Sequence, residues 1–560
     1  MIEDFLISEK QISNLLSSIL NDIDVKDKIN VSENIYSDTK INEWLSNKTI
    51  TKGGSILIDK FIKNPINNKE KLIERQNINF NILNYQLKIL KNYEKDILWI
   101  LTLKTDIEED ASIKLLFPST YIINRCNNYR LFLDLYHLYK IIFMPLSCLI
   151  YPLSIILTPY YYIYYQMKFK MKFIDYLKVL FQFFKIMFKR TNNLKKDLTK
   201  IISFIIYIGV YIYSIYQTFL ISYIIYKTRD KLLIKLKGLV DFIKTSITII
   251  KKANNSWKPF FIYNDDISEL PNILKKLGEL NYDLSSIYKL WQNPKFKNYI
   301  ILILKIIYTI DIINTYSNLK RNKNWCLPTF TDKETRIWDI RNPLLENQKA
   351  NQVSLNKNLI ITGVNAGGKT TYVKAIASNI ILAQTLGIIN GLKGEIMIYD
   401  AIISFMRISD EVGVQSYFEA ETNCCSRMVK IADELEKNNK RGIFLLDEPM
   451  HSTPPIEGMS VAYAFAMYLS KLRNIRVIIT THFHKLIELE DNYKDRFINL
   501  SVMAFKEDNN YKFDYKINRG GSRQTIAIEL LKKHELNDEI INSAIEIKNK
   551  ICNETLRNDF

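Results

Sequence analysis

The chain has 560 residues, of which 47% are hydrophobic and 24% charged, so a disordered or collagen-like protein is excluded. Its length predicts two or more domains, since one hydrophobic core rarely grows beyond about 250–300 residues. Lysine and arginine number 77 against 59 aspartates and glutamates, a net charge of +18. This excess predicts an anionic partner, which is either nucleic acid or a phospholipid surface.

Residues 1–139 carry apolar positions at helical spacing and predict a helical region. The first ten residues, MIEDFLISEK, lack the basic-then-apolar pattern of a secretory signal. The six cysteines are scattered without a CxxC pair, which favours a reducing compartment over a disulfide framework. These features predict an intracellular protein.

Two long runs without a charged residue follow, at 141–167 and 201–226. Each is longer than the roughly 18 residues that make a transmembrane candidate. The second run predicts one spanning helix, whereas Pro145, Pro152 and Pro159 in the first predict a kinked span or a re-entrant hairpin. The alternative for both runs is a pair of apolar core helices in an all-helical domain.

The connection between the two runs, residues 168–200, has ten basic residues and two aspartates, a net charge of +8. This composition predicts an amphipathic helix on an anionic surface, and the alternative is a solvated face. Because basic residues flank both runs on both sides, the charge pattern leaves the membrane topology open.

Residues 228–326 again predict helices, and from residue 327 short β-rich runs alternate with helical stretches. This alternation predicts a parallel α/β domain over 327–515, followed by a C-terminal segment, 516–560.

The sequence LIITGVNAGGKTT contains the pattern GxxxxGK[ST], directly after an apolar strand and before a helix. In that setting the backbone N–H groups and the helix N-terminus surround the phosphates of a nucleotide. Lys369 is predicted to reach the β- and γ-phosphates, and the Thr370 hydroxyl to bind Mg²⁺. The predicted phosphate-binding residues are Gly363, Asn365, Gly367, Gly368, Lys369, Thr370 and Thr371.

Two further apolar runs end in polar residues. GIFLLDE ends in Asp447 and Glu448, and RVIITTH ends in His482. Asp447 is predicted to hold Mg²⁺ and Glu448 to act as the general base on water. His482 is predicted to sense the γ-phosphate or to orient the water, so that Glu448 and His482 are the catalytic candidates.

These motifs resemble the MutS family of DNA mismatch-repair ATPases, within the ABC-type P-loop group. The family's TGPNMGGKST-like loop reads TGVNAGGKTT here, its acidic segment reads DEPMHSTPPIEG, and its THF switch is Thr481–Phe483. The family's signature loop is similar to VQSYFEAET, which aligns Ser416 and Phe418. In relatives this serine acts in trans, on the γ-phosphate bound by the other subunit.

The resemblance extends to both ends of the chain. Residues 520–547 resemble the family's C-terminal helix-turn-helix dimerisation segment, which places that segment at 516–560. Residues 51–80 are similar to the start of its helical core, and the similarity aligns Gly54, Leu57, Pro65 and Arg75 with that segment. Since the core-like segment begins this early, no room is expected for the amino-terminal mismatch-reading domain, and a terminal nuclease domain is not expected either.

The resemblance implies an α/β P-loop (ABC-type) ATPase domain C-terminal to an all-helical core- or lever-like domain that carries the two apolar helices. It implies an ATP- and Mg²⁺-dependent ATPase whose homodimer, or heterodimer with a related ATPase, switches on double-stranded DNA. The apolar runs further predict a membrane tether, with the ATPase domain on the cytosolic side. The alternative is a membrane-anchored ATPase that acts on a lipid or membrane-protein partner without binding mismatches.

Overall fold

Helices occupy most of the chain up to residue 320, and strands alternate with helices from Trp325 onward. The computed structural model describes residues 7–23, 25–102, 115–118, 123–187, 189, 194–292, 295–364, 366–406, 417–451, 453–507, 510–524 and 537–558. The helices are α1 (Glu9–Ile19), α2 (Asn34–Thr39), α3 (Ile41–Ser46), α4 (Lys52–Ile62), α5 (Lys69–Gln76), α6 (Asn84–Thr102), α7 (Arg130–Leu138), α8 (Met144–Tyr161), α9 (Phe173–Met187), α10 (Leu194–Ala253), α11 (Leu270–Gly278), α12 (Leu284–Gln292), α13 (Phe296–Lys320), α14 (Lys369–Thr385), α15 (Tyr417–Lys437), α16 (Pro455–Lys471), α17 (Glu488–Asn492) and α18 (Asp538–Asn558). The strands are β1 (Asn30–Val31), β2 (Trp325–Cys326), β3 (Thr329–Thr331), β4 (Arg336–Ile340), β5 (Asn351–Ser354), β6 (Asn358–Gly363), β7 (Ile389–Asn390), β8 (Lys393–Met397), β9 (Ala401–Phe405), β10 (Gly442–Asp447), β11 (Ile475–Thr480), β12 (Phe497–Val502), β13 (Ala504–Glu507), β14 (Asn510–Phe513) and β15 (Asn518–Arg519). The predicted mixed α/β architecture with a helical N-terminal half is therefore present.

The chain divides into two compact units, neither of which is continuous in sequence. One comprises Met1–Leu15, Asn92–Thr248 and Asp266–Ile303, and it contains both apolar runs. The other comprises Leu16–Lys91, Ile249–Asp265 and Leu304–Phe560, and it contains the β-sheets.

The largest sheet has seven strands in the order β1-β9-β10-β11-β6-β12-β15. Neighbouring strands are parallel except for β15, which is antiparallel to β12. Strands β6, β10 and β11 are buried at nearly every residue, which explains why they read as continuous apolar runs. Because β11 lies between β6 and β10, the carboxyl ends of all three strands meet at one edge of the sheet.

The β-sheet unit also contains residues 51–80, for which the sequence predicts the start of a helical core. The Asp311 carboxylate accepts hydrogen bonds from the backbone N–H of Thr51, at 2.7 Å, and from its hydroxyl, also at 2.7 Å. Gly54 lies against this carboxylate, since a Cβ there would come within 2.4 Å of Asp311 Oδ2. The glycine is therefore required by the close packing of a buried carboxylate on the first turn of α4.

Arg75 is buried at the end of α5 in the same unit. Its guanidinium packs over the rings of Phe61 and Phe260, with centroid distances of 4.7 and 5.4 Å. It donates to the carbonyls of Pro259 and Thr385, and the second of these ends α14. Arg75 therefore connects the helix that follows the glycine-rich loop to the helical part of this unit.

The two apolar runs lie on helices that are long and apolar enough to cross a bilayer, by length and composition. These helical stretches are Arg130–Gln166 and Asp197–Ala253. In the most apolar 18-residue window of each stretch, 6% and 0% of the residues are buried. A core helix of a soluble domain would be mostly buried, so this exposure favours the membrane interpretation over the core-helix alternative.

The first run is one continuous helical stretch, in which π-helical turns at Tyr139–Phe143 and Tyr162–Gln166 flank α8. Its prolines are accommodated within this stretch, without the reversal of direction that a re-entrant hairpin needs. The second run lies within α10, which has 60 residues and is therefore about 90 Å long. The predicted amphipathic helix in the connection is α9, whose Tyr176 hydroxyl donates to the Ile156 carbonyl at 2.9 Å.

The prolines of the first run leave backbone carbonyls without helical donors, and side chains of α10 reach two of these carbonyls. Pro152 has no N–H to offer Cys148 O, and the Tyr211 hydroxyl donates to that carbonyl at 2.6 Å. In a π-helical turn a carbonyl accepts from the N–H five residues later. For Lys140 O that residue is Pro145, which also lacks an N–H. Ser222 Oγ lies 2.9 Å from Lys140 O, and also 2.9 Å from Thr218 O in its own helix.

The contacts between the two runs fix their relative direction. Lys140 and Cys148 of the first run meet Ser222 and Tyr211 of the second, so the helices are antiparallel. We call these two stretches, 139–166 and 201–226, the apolar hairpin. Two carbonyls affected by its prolines are reached by hydroxyls within the hairpin, while most of its large apolar side chains are exposed.

Candidate functional site

The glycine-rich loop joins β6 to α14. Gly363 has φ +129°, and a Cβ there would lie 2.1 Å from Val502 O, so only glycine fits. Gly368 has φ +98° and caps the N-terminus of α14. Lys369 begins the helix, with a side chain that is only 4% exposed and an ammonium that donates to Gly363 O at 2.9 Å. The loop thus places a buried ammonium and the N-terminus of a 17-residue helix at the same point.

Asp447 ends β10 beside this loop. The Thr370 hydroxyl donates to Asp447 Oδ2 at 2.8 Å, and the Thr480 hydroxyl donates to Oδ1 of the same carboxylate. Thr480 ends β11, the strand between β6 and β10, so the sheet order itself brings the three side chains together. A threonine hydroxyl and an aspartate oxygen are ligands that Mg²⁺ accepts, and it needs few from the protein because it retains waters. These two residues therefore fit the predicted Mg²⁺ ligands.

Glu448 follows Asp447 and has φ +53°, a conformation that is uncommon outside glycine and is found at functional sites. Glu448 Oε1 lies 2.6 Å from His482 Nε2 and 3.8 Å from Lys369 Nζ. Lys369 Nζ in turn lies 3.3 Å from the same His482 nitrogen. The two predicted catalytic residues are therefore in direct contact, next to the predicted phosphate-binding lysine.

The surroundings shift the pKa values of two of these groups. The hydrogen bond from His482 lowers the pKa of Glu448 below its ordinary value, and the nearby charges of His482, Lys369 and His451 act in the same direction. Glu448 is therefore ionised at neutral pH, as a general base must be. Burial lowers the pKa of Lys369, and the carboxylates of Glu448 and Asp447 partly offset this effect.

A cavity of about 590 Å³ opens onto the loop and is large enough for a nucleotide. Gly367, Gly368, Lys369, Thr370, Thr371 and Glu448 line its polar end. Phe513 and Tyr515 line another part of it, with ring centroids 6.0 Å apart. Asn351 holds this aromatic segment in place, because its side chain donates to Tyr515 O at 3.0 Å and accepts from the Ile517 amide at 2.9 Å.

The sequence interpretation did not single out Phe513 or Tyr515. They lie about 145 residues after the loop, and aromatic residues near a short strand carry no motif of their own. Only the packing of β14 and the following turn against the loop identifies them, with Tyr515 Cδ1 3.4 Å from a Cβ placed on Gly368.

Several predicted positions lie outside the described residues. These are Asn365 in the glycine-rich loop, Ser416 in the signature loop, and 525–536 in the C-terminal segment. Phe418 lies in the first turn of α15, but its side chain is outside the described set. The trans role of Ser416 and Phe418 therefore stays a prediction, as does the dimerisation segment, of which the structure describes helix α18.

The two consecutive prolines in DEPMHSTPPIEG lie at the start of helix α16, shortly after Glu448. Helix α16 begins at Pro455, where the missing N–H costs nothing, and Pro454 is its N-cap. Gly458 lies in the first turn of this helix, and a Cβ there would come within 2.6 Å of Met450 O. The turn after Glu448 is therefore tightly packed against the start of α16.

Comparison with known proteins finds a match to MutS proteins over part of the chain. Residues 359–552, from β6 to α18, match the family model described as MutS domain V. The DNA mismatch repair protein MutS of Clostridium perfringens is 31% identical over 257 residues, which are 43% of this chain and 28% of that protein. The proteins of the same name from Persephonella marina and Oceanobacillus iheyensis are 29% identical over 247 residues and 26% identical over 298 residues. These two matches cover 42% and 50% of this chain and 28% and 33% of those proteins.

The loop–helix site and most of the seven-stranded sheet thus lie within the matched region, whereas β1 lies outside it. The match over 359–552 supports the resemblance to the MutS family that the motifs predicted. The chain covers about 28% of the length of the first relatives that it matches.

Proposed function

We propose that this chain binds and hydrolyses ATP through an ABC-type P-loop domain at 327–515, and that it uses nucleotide to switch a MutS-like dimer. The observation that carries the proposal is the contact of Glu448 with His482 and Lys369 beside the 590 Å³ cavity. Glu448 is ionised and can accept a proton from water, and Lys369 and the N-terminus of α14 place positive charge beside it. This combination suits the hydrolysis of a phosphate anhydride.

In this proposal the chain's own groups divide the work. Lys369 leaves the loop carbonyls to contact the β- and γ-phosphates, and the amides of the loop and of the first turn of α14 donate to phosphate oxygens. Glu448 accepts the proton of the attacking water, and His482 holds the Glu448 carboxylate in place. Tyr515 offers its ring to the base.

Thr370 and Asp447 would hold Mg²⁺. A bound Mg²⁺ supplies positive charge to the phosphate oxygens. The Thr370–Asp447 hydrogen bond keeps a hydroxyl and a carboxylate together at the loop, so this pair is ready for a metal that prefers oxygen ligands.

The dimer part of the proposal rests on the family resemblance. Two chains would face each other, with Ser416 of each acting on the γ-phosphate held by the other and the C-terminal segment joining them. Measurement of the oligomeric state of a Glu448→Gln variant by light scattering, with and without ATP, tests the switch. A dimer that ATP stabilises supports it, and an unchanged mass contradicts it.

We propose further that the apolar hairpin tethers this ATPase to a membrane, with the ATPase domain on the cytosolic side. The support is the exposure of the hairpin side chains together with the Tyr211 and Ser222 hydroxyls that reach Cys148 O and Lys140 O. Carbonate extraction of membranes that contain the full chain tests the tether. Release into the supernatant contradicts it, and retention supports it.

Association with double-stranded DNA is the expected consequence of the resemblance to MutS proteins and of the net charge of +18. The second candidate, favoured by the exposed hairpin, is a membrane-anchored ATPase that acts on a lipid or membrane-protein partner. Duplex binding by the purified full chain separates the two, because contacts to DNA phosphates weaken steeply as salt increases. Salt-sensitive duplex binding supports the DNA function, and the lack of such binding favours the second candidate.

A further inference from the structure

A groove of about 640 Å³ lies between α7 and α10, where the apolar hairpin begins and ends. Leu131, Leu135, Leu138 and Ile142 form one wall, at helical spacing, and Tyr226 of α10 contributes to the other. Leu131 is 73% exposed and Leu135 is 56% exposed. A continuous apolar stripe therefore faces the groove and leads into the hairpin, with no described side chain covering it.

The end of the groove beyond the apolar stripe carries a net positive charge. Arg130 Nε and Arg229 Nη2 lie 3.5 and 3.1 Å from the two oxygens of Asp134, so one carboxylate serves two guanidiniums. Two guanidiniums that share one carboxylate retain further N–H groups, which can donate to an anionic ligand with several oxygens.

The position of the groove along the chain matches the edge of a bilayer. The charge-free runs begin at residue 141 and end at residue 226, so Ile142 and Tyr226 lie at their ends while Arg130 and Arg229 lie outside them. Basic and aromatic side chains gather at this level of a membrane protein, where headgroups meet acyl chains. The charged end of the groove would therefore lie among headgroups, and the apolar wall would face acyl chains.

We propose that this groove binds an anionic phospholipid, with its headgroup phosphate on Arg229 and Arg130 and an acyl chain along Leu135, Leu138 and Ile142. The inference rests on the proposed membrane tether, and it adds that the tethered chain prefers anionic phospholipids. A free phosphate would pair with the guanidiniums but would leave the apolar wall bare, so the complete groove fits a lipid. The net charge of the three ionic groups is positive, which selects an anionic headgroup over a zwitterionic one.

The test uses the full chain purified in a non-ionic detergent and mixed with labelled phosphatidylglycerol or phosphatidylcholine. Lipid that stays with the protein on gel filtration is then measured. We expect phosphatidylglycerol to be retained in preference to phosphatidylcholine. The double variant Arg130→Gln/Arg229→Gln should lower retention about tenfold, since hydrogen bonds to charged groups contribute that much. Equal retention of both lipids, or full retention by the double variant, overturns the proposal.

The matched control is Lys275→Gln/Lys276→Gln, which removes two exposed charges from α11, outside the groove. It should retain phosphatidylglycerol as the unmodified chain does, and an equal loss overturns the proposal in favour of general charge attraction. Leu138→Trp fills the groove while keeping both arginines, and it should also lose the lipid. ATPase activity, measured on every variant, reports whether the chain is folded.

Two further measurements separate this inference from its premise. Glycerol 3-phosphate should not displace the labelled lipid, and displacement would identify a simple anion site and overturn the lipid proposal. Carbonate extraction of the same membranes tests the tether itself. A chain that resists extraction but retains no phosphatidylglycerol contradicts only this inference, whereas a chain that is extracted contradicts both.

Discussion

The hydroxyl of Thr370 donates a hydrogen bond of 2.8 Å to Asp447 Oδ2, across 77 positions of sequence. The two residues belong to separate motifs, one at the start of α14 and the other at the end of β10. They meet because β11 lies between β6 and β10 in a parallel sheet, so that all three strands end at one edge. This contact joins the loop that is proposed to hold phosphate to the carboxylate that is proposed to hold Mg²⁺.

The first prediction concerns this pair. Thr370→Val removes the hydroxyl with little change in volume, so we expect ATP affinity in the presence of Mg²⁺ to fall at least about tenfold. In EDTA the variant and the unmodified chain should bind alike. Calorimetric titration in both buffers measures the difference. Thr370→Ser, which retains the hydroxyl, is the control, and a Thr370→Val variant with full Mg²⁺-dependent affinity would contradict the assignment.

The second prediction concerns Glu448. Glu448→Gln retains the shape of the side chain but cannot accept a proton, so turnover should fall by about 10²–10⁴ while ATP still binds. Steady-state phosphate release and nucleotide binding together measure this. Glu488→Gln, in a surface pair with Lys485, should turn over normally. Normal turnover in Glu448→Gln would remove Glu448 from the role of general base.

The third prediction concerns Tyr515, which the sequence did not indicate. Tyr515→Ala removes a ring from the cavity wall, and stacking of an aromatic side chain on a base contributes about 1–3 kcal/mol. ATP affinity should therefore fall between about 5-fold and about 150-fold, while Tyr515→Phe should bind normally. Equal affinity of Tyr515→Ala and the unmodified chain would place the base elsewhere.

The fourth prediction is a double-mutant cycle in the apolar hairpin. Tyr211→Phe leaves Cys148 O without a donor and should destabilise the hairpin by about 0.6–1.7 kcal/mol. Pro152→Ala restores a helical N–H to that carbonyl, so Tyr211→Phe should cost less in the Pro152→Ala background. Unfolding in mixed detergent micelles measures all four chains. Additive effects of the two changes would show that the hydroxyl does not serve the carbonyl that the proline frees.

The fifth prediction concerns Arg75. Burial lowers its pKa to about 9, so the guanidinium remains charged at neutral pH. Arg75→Met leaves the carbonyls of Thr385 and Pro259 without this donor and should lower the free energy of unfolding by about 2–4 kcal/mol. Lys71→Met, on the same helix, breaks an exposed pair with Asp27 and should cost less than about 1 kcal/mol. Similar denaturation midpoints for the two variants would contradict the structural role of Arg75.

Much of the site could be read from local patterns. The spacing of Gly363, Gly368 and Lys369 specifies a strand–loop–helix, because glycine permits the positive φ values and the close approach to Val502. The apolar run before Asp447 predicted a buried strand for the same local reason. The contact between Glu448 and His482 and the inclusion of Tyr515 are set by the order of strands and by packing, which no local pattern encodes.

The apolar hairpin shows the same division. The sequence by itself determined that residues 141–167 and 201–226 carry no charge and that three prolines interrupt the first run, because these are properties of side chains taken one at a time. Only the tertiary structure decided that these side chains stay exposed and that Tyr211 and Ser222 reach the carbonyls of Cys148 and Lys140. The physical reason is that burial and hydrogen bonding depend on which segments meet. Segments that are distant in sequence meet only in the folded chain, where side chains pack together and backbone N–H and C=O groups find hydrogen-bond partners.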